Sequence, residues 1–351
     1  MKIGVVVGSA SGKGSAQQAV ASLAARLRPH EVAACGGAFG CDGAFERDEL
    51  PPSWSRLSPG PSGAPPQAAD YVENLRNTVA SLLDWGSEIL ICIGGDGLAS
   101  YVLDAMLADG ERGAHGKKAP LLGIASGTIN VGPVVAFTTE DIPALDISGL
   151  SVRSIDAVEV LVDGSHLAYA VNDVIIGNSF LGTVDGEVAN LSARELLHSC
   201  RKLKIEPSTD IAGEGFCLSK NGAPVAVSMK TPAQIIVSPL GRREFFGRAI
   251  AGVLCNAAFM DGAAALGLFD TVIVRAAEPL RGFGDTARSE HLLFGPDDRI
   301  EVVGLGPDAD IIVDGNPYER GGEVVSFSLR PGIAEVLVPA ATNSAGQEGT
   351  V

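Results

Sequence analysis

The sequence predicts an α/β protein in two halves: an N-terminal α/β domain with a parallel, Rossmann-like sheet and a β-rich, antiparallel, sandwich-like C-terminal domain. Three observations carry this. Over the first 150 residues, short apolar runs alternate with amphipathic stretches, as strands and crossover helices do in a parallel sheet. After about Ser151 strand-like runs are joined instead by Asp163-Gly164 and Asn221-Gly222, dipeptides that tolerate the positive φ angles of tight hairpins. A length of 351 residues also suits two cores better than one. The expected division is 1–150 and 151–340, with the last strands placed to pack back on the first domain and a frayed tail, "ATNSAGQEGTV", at 341–351.

In the first half, strands are expected at Lys2 to Val7, Glu31 to Ala34, Glu88 to Ile93 and Pro120 to Ala125. Helices are expected at Ser15 to Leu27, where Ala19, Leu23, Ala24 and Leu27 follow helical spacing, at Ala69 to Trp85, and at Leu98 to Ala108. The link Leu50 to Gln67, "LPPSWSRLSPGPSGAPPQ", holds too much Pro, Gly and Ser for either element and reads as a lid or an insertion. Beyond the two hairpins, the second half should place strands at Ala233 to Val237, Thr271 to Arg275, Ile300 to Val303, Asp310 to Val313, Val324 to Ser328 and Ala334 to Val338.

Composition narrows the function classes. With 46% hydrophobic and 19% charged residues, 44 Gly and 20 Pro, the chain reads as a compact, turn-rich, enzyme-like fold. A formal charge of −16 disfavours a polyanionic partner, so no nucleic acid is expected, while a small phosphorylated ligand is compatible through Mg²⁺ and backbone N–H groups. Six cysteines without a C-x-x-C pair indicate neither a zinc site nor a disulfide framework and suit a reducing cytoplasm. No apolar run has the length of a signal peptide or a membrane span.

Five stretches are candidates for chemistry. The start, "VVVGSASGKGS", fails as a P-loop: three residues rather than four separate Gly8 from Gly12, and Gly14 follows Lys13. A turn capped by Ser15 and a nucleotide contact are equal readings of it. "EILICIGGDGLASYV" is sharper. Gly94, Gly95 and Gly97 remove the Cβ atoms that would keep a ligand from backbone N–H groups at a helix start, a phosphate cradle. Asp96 would repel a phosphate, so its expected role is to accept a proton from, or orient, an attacking hydroxyl, or to hold a metal; the structural alternative is a cap on a helix beginning at Leu98.

One strand later, "LLGIASGTINVGPVVAF" repeats the design with Ser126, Gly127, Thr128, Asn130 and Gly132 at a strand's carboxyl end, the edge where open α/β sheets bind ligands. Asn130 is also readable as an Asx turn. In "AVNDVIIG", Asn172 and Asp173 break an apolar pattern, either to contact ligand hydroxyls or to end a strand. "DIIVDGNPYERGG" contributes Asp314-Gly315, by itself a structural hairpin. The basic groups Arg201, Lys202 and Lys204, and Arg242, Arg243 and Arg248, could meet a phosphorylated substrate or lie solvated on the surface. His115, His166 and His198 have no spacing that suggests a metal or a triad and are expected on surfaces or in turns.

Together "GGDG", "GTINVG", "VNDV" and "VDGN", in this order, resemble the NAD kinase and diacylglycerol kinase superfamily, and most of all its ATP-NAD kinase relatives of the acetoin-catabolism protein X type. The early "ACGGAFGCDGAFE" is similar to that branch's second Gly-rich loop. The resemblance covers most of residues 1–180 and roughly 255–340. It implies an NAD kinase-like fold, with Asp96 as the acid at the reacting hydroxyl, phosphates on Gly94, Gly95, Gly97, Ser126, Gly127 and Thr128, and substrate on Asn130, Asn172 and Asp173. It further implies an Mg²⁺- and ATP-dependent kinase acting on the 2′-hydroxyl of NAD to give NADP, in a homo-oligomer. Alternatives are another hydroxyl acceptor (a lipid head group, long-chain base or small polyol) and an inactive nucleotide-binding sensor.

The chain departs from the family pattern in places. Leu98 replaces a small polar residue, and Asp173 replaces the commoner Glu. The Thr-Pro-Thr-Gly-Ser and Pro-Gly-Thr-Thr-Thr segments are absent, and the middle stretch "SPLGRREFFGRAIAGVLCNAAFMDGAA" is nearer to the lipid-kinase branch.

Overall fold

The computed structural model describes residues 1–8, 13–37, 39–40, 51–59, 68–111, 119–126, 133–184, 186–240, 262–276 and 287–340. The tail at 341–351 and most of the Gly-rich stretches at 9–12 and 41–46 lie outside the described residues.

The N-terminal half is a parallel sheet in the order β5, β4, β1, β2, β3. These strands are β1 (Lys2–Val7), β2 (Glu31–Gly36), β3 (Trp54–Pro59), β4 (Ile89–Gly94) and β5 (Leu121–Ala125). Three helices cross over: α1 (Lys13–Arg26), α2 (Ala68–Asp84) and α3 (Asp96–Glu111). Because both faces of this sheet are covered, its central strands β1, β4 and β5 are apolar nearly throughout rather than alternating. Ala19, Val20, Leu23 and Leu27 from α1 and its C-terminal end pack on Ile3, Val5, Ile91 and Ile93. Leu75, Val79 and Leu82 of α2 and Leu98, Val102 and Leu103 of α3 pack on Val6, Leu90 and Cys92, on the opposite face.

One expectation fails here. The Pro/Gly/Ser-rich link contains β3, parallel to β2 with Val32 opposite Trp54 and Cys35 opposite Leu57. An edge strand needs only one hydrogen-bonded side and tolerates proline, so its composition hides it.

The sheet continues into the second half. β7 (Leu150–Val162) and β20 (Val325–Pro339) pair antiparallel along nearly their whole lengths, and β20 also runs parallel to β5 through Val336 and Leu121. The two runs expected at 324–328 and 334–338 are therefore one strand, bent where the register shifts between Arg330 and Ala334. β6 (Val135–Thr138), β8 (Ser165–Ala170), β12 (Ala212–Lys220), β13 (Ala223–Val225) and β17 (Arg299–Leu305) complete twelve strands.

A second, antiparallel sheet of six strands runs β16 (Ser289–Phe294), β15 (Ala264–Phe269), β14 (Gln234–Pro239), β9 (Val174–Gly177), β18 (Asp310–Val313) and β19 (Asn316–Tyr318). Val174, Ile176, Ile235, Val237, Ile311 and Val313 face the antiparallel part of the first sheet to form a sandwich core. The other face, with Ile175, Ile236 and Ile312, packs on Phe180 and Leu191 of the hairpin β10 (Ser179–Val184) and β11 (Glu187–Ser192), and on Ala193 of helix α4 (Ala193–Ser199).

Thr271 to Arg275, expected as a strand, is not one. The strand lies at β15, and the N–H groups of Ile273 and Val274 are instead taken by the Gln234 side chain at 2.9 and 3.0 Å. A buried glutamine thus satisfies backbone donors that a ladder otherwise would.

Candidate functional site

The strand order places β1 and β4 side by side, with the chain leaving β1 toward β2 on one side and leaving β4 toward β5 on the other. In open α/β sheets such a reversal marks the carboxyl edge at which ligands bind. The strand ends are tied together there. Gly8 N–H donates to Ile93 O at 2.8 Å and Ser126 N–H to Gly94 O at 3.0 Å.

The "GGDG" turn runs from the last residue of β4 directly into α3. The helix starts at Asp96 and not at Leu98, with Ala99 N–H donating to Gly95 O at 3.1 Å, so Gly95 holds the cap position and Asp96 lies in the first turn. Its alternative reading as the cap residue is thereby corrected. The helix dipole favours a carboxylate at that end, and the first-turn N–H groups lack intrahelical acceptors.

The three glycines do different work. A Cβ on Gly94 would lie 2.7 Å from Leu98 Cδ2, so this glycine lets Leu98 reach the core. The hydroxyl absent at position 98 is exchanged for packing, since Leu98 is 8% exposed within the α2–α3 cluster. A Cβ on Gly97 would meet Asn316 Oδ1 at 2.8 Å. A Cβ on Gly95 would meet nothing within 4 Å, so its backbone alone faces open space. Ser126 Oγ is buried with no hydrogen-bond partner among the described residues, one strand over. Gly127, Thr128 and Asn130, named with it from the sequence, lie outside the described residues.

Asn172 and Asp173 sit in the break between β8 and β9, and the Asn172 side-chain amide donates to the Asp173 carboxylate. Asp173 is 4% exposed. Ser238 Oγ of β14 donates to Asn172 O at 2.7 Å, fixing the break from the far side.

The joint between these segments is Asp314, which the sequence presents only as a hairpin residue. Its φ of 48° with Gly315 at 79° makes the tight turn between β18 and β19. Its carboxylate points inward. Oδ1 accepts from the N–H groups of Asn172 at 2.8 Å and Asp173 at 2.9 Å. Oδ2 accepts from Val171 N–H at 3.0 Å and from Ser100 Oγ, one turn along α3 from Asp96, at 2.6 Å. Burial pushes the Asp314 pKa up and the donated bonds oppose it; with donors on every side, the ionised form is the one that fits. The next polar residue of the same turn, Asn316, donates from Nδ2 to Gly97 O at 2.9 Å. Hairpin β18–β19 thus binds the "GGDG" helix start and the Asn172–Asp173 break into one hydrogen-bonded assembly. No local signal marks this, because the partners of Asp314 lie about 140 and 214 residues away in the chain.

A second linkage lies further along α3. Asp104, 3% exposed, accepts from Tyr169 N–H at 3.0 Å, contacts Arg76 at 3.3 Å, and faces His166 Nε2 at 3.5 Å. His166 Nδ1 lies 3.4 Å from Glu159, which also binds Arg330. His166 is exposed beside the β7–β8 turn, as expected of a surface or turn residue, and there it bridges two carboxylates. Partial burial disfavours its charge, but the hydrogen bonds to Asp104 and Glu159 prevail and raise its pKa to about 9. The bond from His166 in turn helps to hold Glu159 below the ordinary carboxylate range.

The basic residues near α4 are engaged at the surface: Arg201 binds Glu195 at 2.7 Å and Lys204 lies 3.5 Å from Glu187. Arg242, Arg243, Arg248 and His115 lie outside the described residues, and His198 is exposed. No helix among the described residues is long and apolar enough to cross a membrane.

No family model matches the sequence. An uncharacterized protein of Archaeoglobus fulgidus is 27% identical over 264 residues, 73% of this chain and 76% of that protein. Among solved structures, yeast NADH kinase complexed with NADH superposes with a TM-score of 0.52 at 12% identity, covering 100% of this chain and 90% of that one. The NAD kinase fold expected from the motifs is therefore the fold observed.

Proposed function

We propose that the protein is a kinase that transfers the γ-phosphoryl group of ATP to a hydroxyl, with the 2′-hydroxyl of NAD adenosine as the leading acceptor. The observation that carries this reading is the convergence of "GGDG", Asn172–Asp173 and Asp314–Asn316 at the sheet's carboxyl edge, held by the bonds to Asp314 and Gly97. The likeness to a kinase whose crystal structure holds NADH supports the choice of acceptor class.

In this reading the exposed backbone at Gly95 and the first-turn N–H groups of α3 receive phosphate oxygens, with Ser126, Gly127 and Thr128 contributing from the neighbouring strand end. Asn130, Asn172 and Asp173 bind the acceptor. Asp96 orients the acceptor hydroxyl against the γ-phosphate and takes its proton as the new P–O bond forms and the bond to the leaving ADP breaks. Mg²⁺ is typically held by one or two carboxylates together with substrate phosphates. A carboxylate at Asp96 beside a phosphate-receiving backbone fits that donor set, and the ion neutralises phosphate charge when bound.

The deciding experiment is NADP formation from ATP, Mg²⁺ and NAD by the wild type and by Asp96→Asn. Product is expected from the wild type, with kcat lower by about two or more orders of magnitude in the variant. Equal turnover would remove Asp96 from the reaction. ATP binding without product would favour a different acceptor, to be sought among lipid head groups, long-chain bases and polyols, or a sensor.

A further inference from the structure

We infer that Asp314 is a positioning residue for this reaction: its carboxylate sets the register between the helix bearing Asp96 and the Asn172–Asp173 break that receives the acceptor. The inference rests on the function proposed above and deepens it.

Three features separate this role from ordinary hairpin stabilisation. First, both oxygens of Asp314 are used, and they divide their bonds between two elements that meet nowhere in sequence. Ser100 on α3 shares Oδ2 with Val171, and Asn172 and Asp173 share Oδ1. Second, the bond is reciprocal, because Asp314 N–H donates to Asp173 O at 2.9 Å, so the turn and the break hold each other from both sides. Third, the same hairpin reaches the "GGDG" turn through Asn316, whose amide contacts Gly97 O and whose Oδ1 leaves no room for a side chain at Gly97. A shift of the hairpin must therefore move the start of α3 relative to Asn172 and Asp173. In a reaction governed by alignment of nucleophile and phosphorus, a misplacement near 1 Å lowers turnover by about 10²-fold.

The test uses the full chain with ATP, Mg²⁺ and NAD as probes, at a temperature where each variant is folded by circular dichroism. Asp314→Asn keeps a residue that tolerates positive φ but puts an amide donor against backbone donors. Ser100→Ala removes one of the four bonds and leaves the hairpin intact. Expected for Asp314→Asn is a kcat lowered by about 10²-fold with KM for ATP within about twofold of wild type, and for Ser100→Ala a fall of roughly threefold. The double variant should lose no more than Asp314→Asn alone, since both act through one carboxylate.

A merely structural role would lower the melting temperature and leave kcat of the folded enzyme unchanged; that result overturns the inference while the kinase reading stands. If Asp314→Asn does not fold, Ser100→Ala decides by the same criterion. A wild type without phosphotransfer to NAD overturns the reading and this inference together.

Discussion

Asp163-Gly164 and Asp314-Gly315 are the same turn in two places. Both join antiparallel strands, both Asp residues have φ of 48°, and both glycines have φ of 79°. Their surroundings differ. Asp163 is exposed, and its carboxylate accepts at 2.9–3.3 Å from Glu323 and Val324, backbone beside the turn it makes. Asp314 turns its carboxylate inward and joins α3 to the break between β8 and β9. Local sequence determines the backbone of such a turn, whereas the task of its side chain is decided by what the rest of the fold brings to it.

The strongest way to break this comparison is to truncate both residues. Ala at φ near 50° is strained equally in the two turns, so that part cancels and the difference reports the side chains. Asp314→Ala leaves three backbone N–H groups without their acceptor and should destabilise by about 2–3 kcal/mol more than Asp163→Ala, read from urea unfolding of each variant. Equal losses would mean that Asp314, too, is only a turn residue.

The same contrast between packing and exposure can be put to neighbouring glycines. Gly94→Ala forces Leu98 to move and should cost about 1–3 kcal/mol of stability. Gly95→Ala meets no atom within 4 Å, so the fold should keep its stability while KM for ATP rises severalfold as the methyl group enters the space facing the backbone. Thermal melts paired with initial-rate measurements separate the two effects. A Gly95→Ala enzyme with unchanged KM would show that phosphates do not approach there.

His166 extends the lesson to a charged side chain. With its pKa raised from 6.5 to about 9, the bridge between Asp104 and Glu159 contributes stability in full below pH 6.5 and loses it as pH rises through 9. The melting temperature should therefore fall between pH 6.5 and 9 in the wild type, and His166→Gln should flatten that part of the profile. A wild-type curve as flat as the variant's would show that the bridge is broken in solution.

What the sequence shows and what it hides follow from range. β1, β4 and α2 are legible because each is a continuous apolar or helical pattern, and "GGDG" is legible because its glycines and acid are consecutive. β3 is hidden by turn-forming residues that an edge position accepts, and the strand at 264–269 by the small residues of "AALGLF". The site's components are each visible, but its joint is not. Nothing near Asp314 distinguishes it from Asp163, and Asp104 and His166 are 62 positions apart. The task of Asp314 depends on contacts that exist only once the second sheet has packed on the first, and that of His166 on α3 packing against β8.

The third tight turn sharpens the comparison with the smallest effect. Asn221-Gly222 has φ angles of 54° and 78°, yet carries an amide where the other two carry acids. Its surroundings account for the choice. Asn221 Oδ1 accepts from Arg299 N–H at 2.8 Å, as an acid could, but Nδ2 donates to Asp298 at 2.9 Å, which an acid could not. Asp163 and Asp314 face only donors. Asn221→Asp should therefore set two carboxylates against each other and destabilise by about 0.5–1 kcal/mol, since Lys220, 2.9 Å from Asp298, offsets part of the repulsion. Because the turn is exposed, 1 M salt should remove most of the loss. A loss unchanged by salt would trace it to the turn backbone instead, and the residue at this position would then be chosen by local geometry rather than by its neighbour.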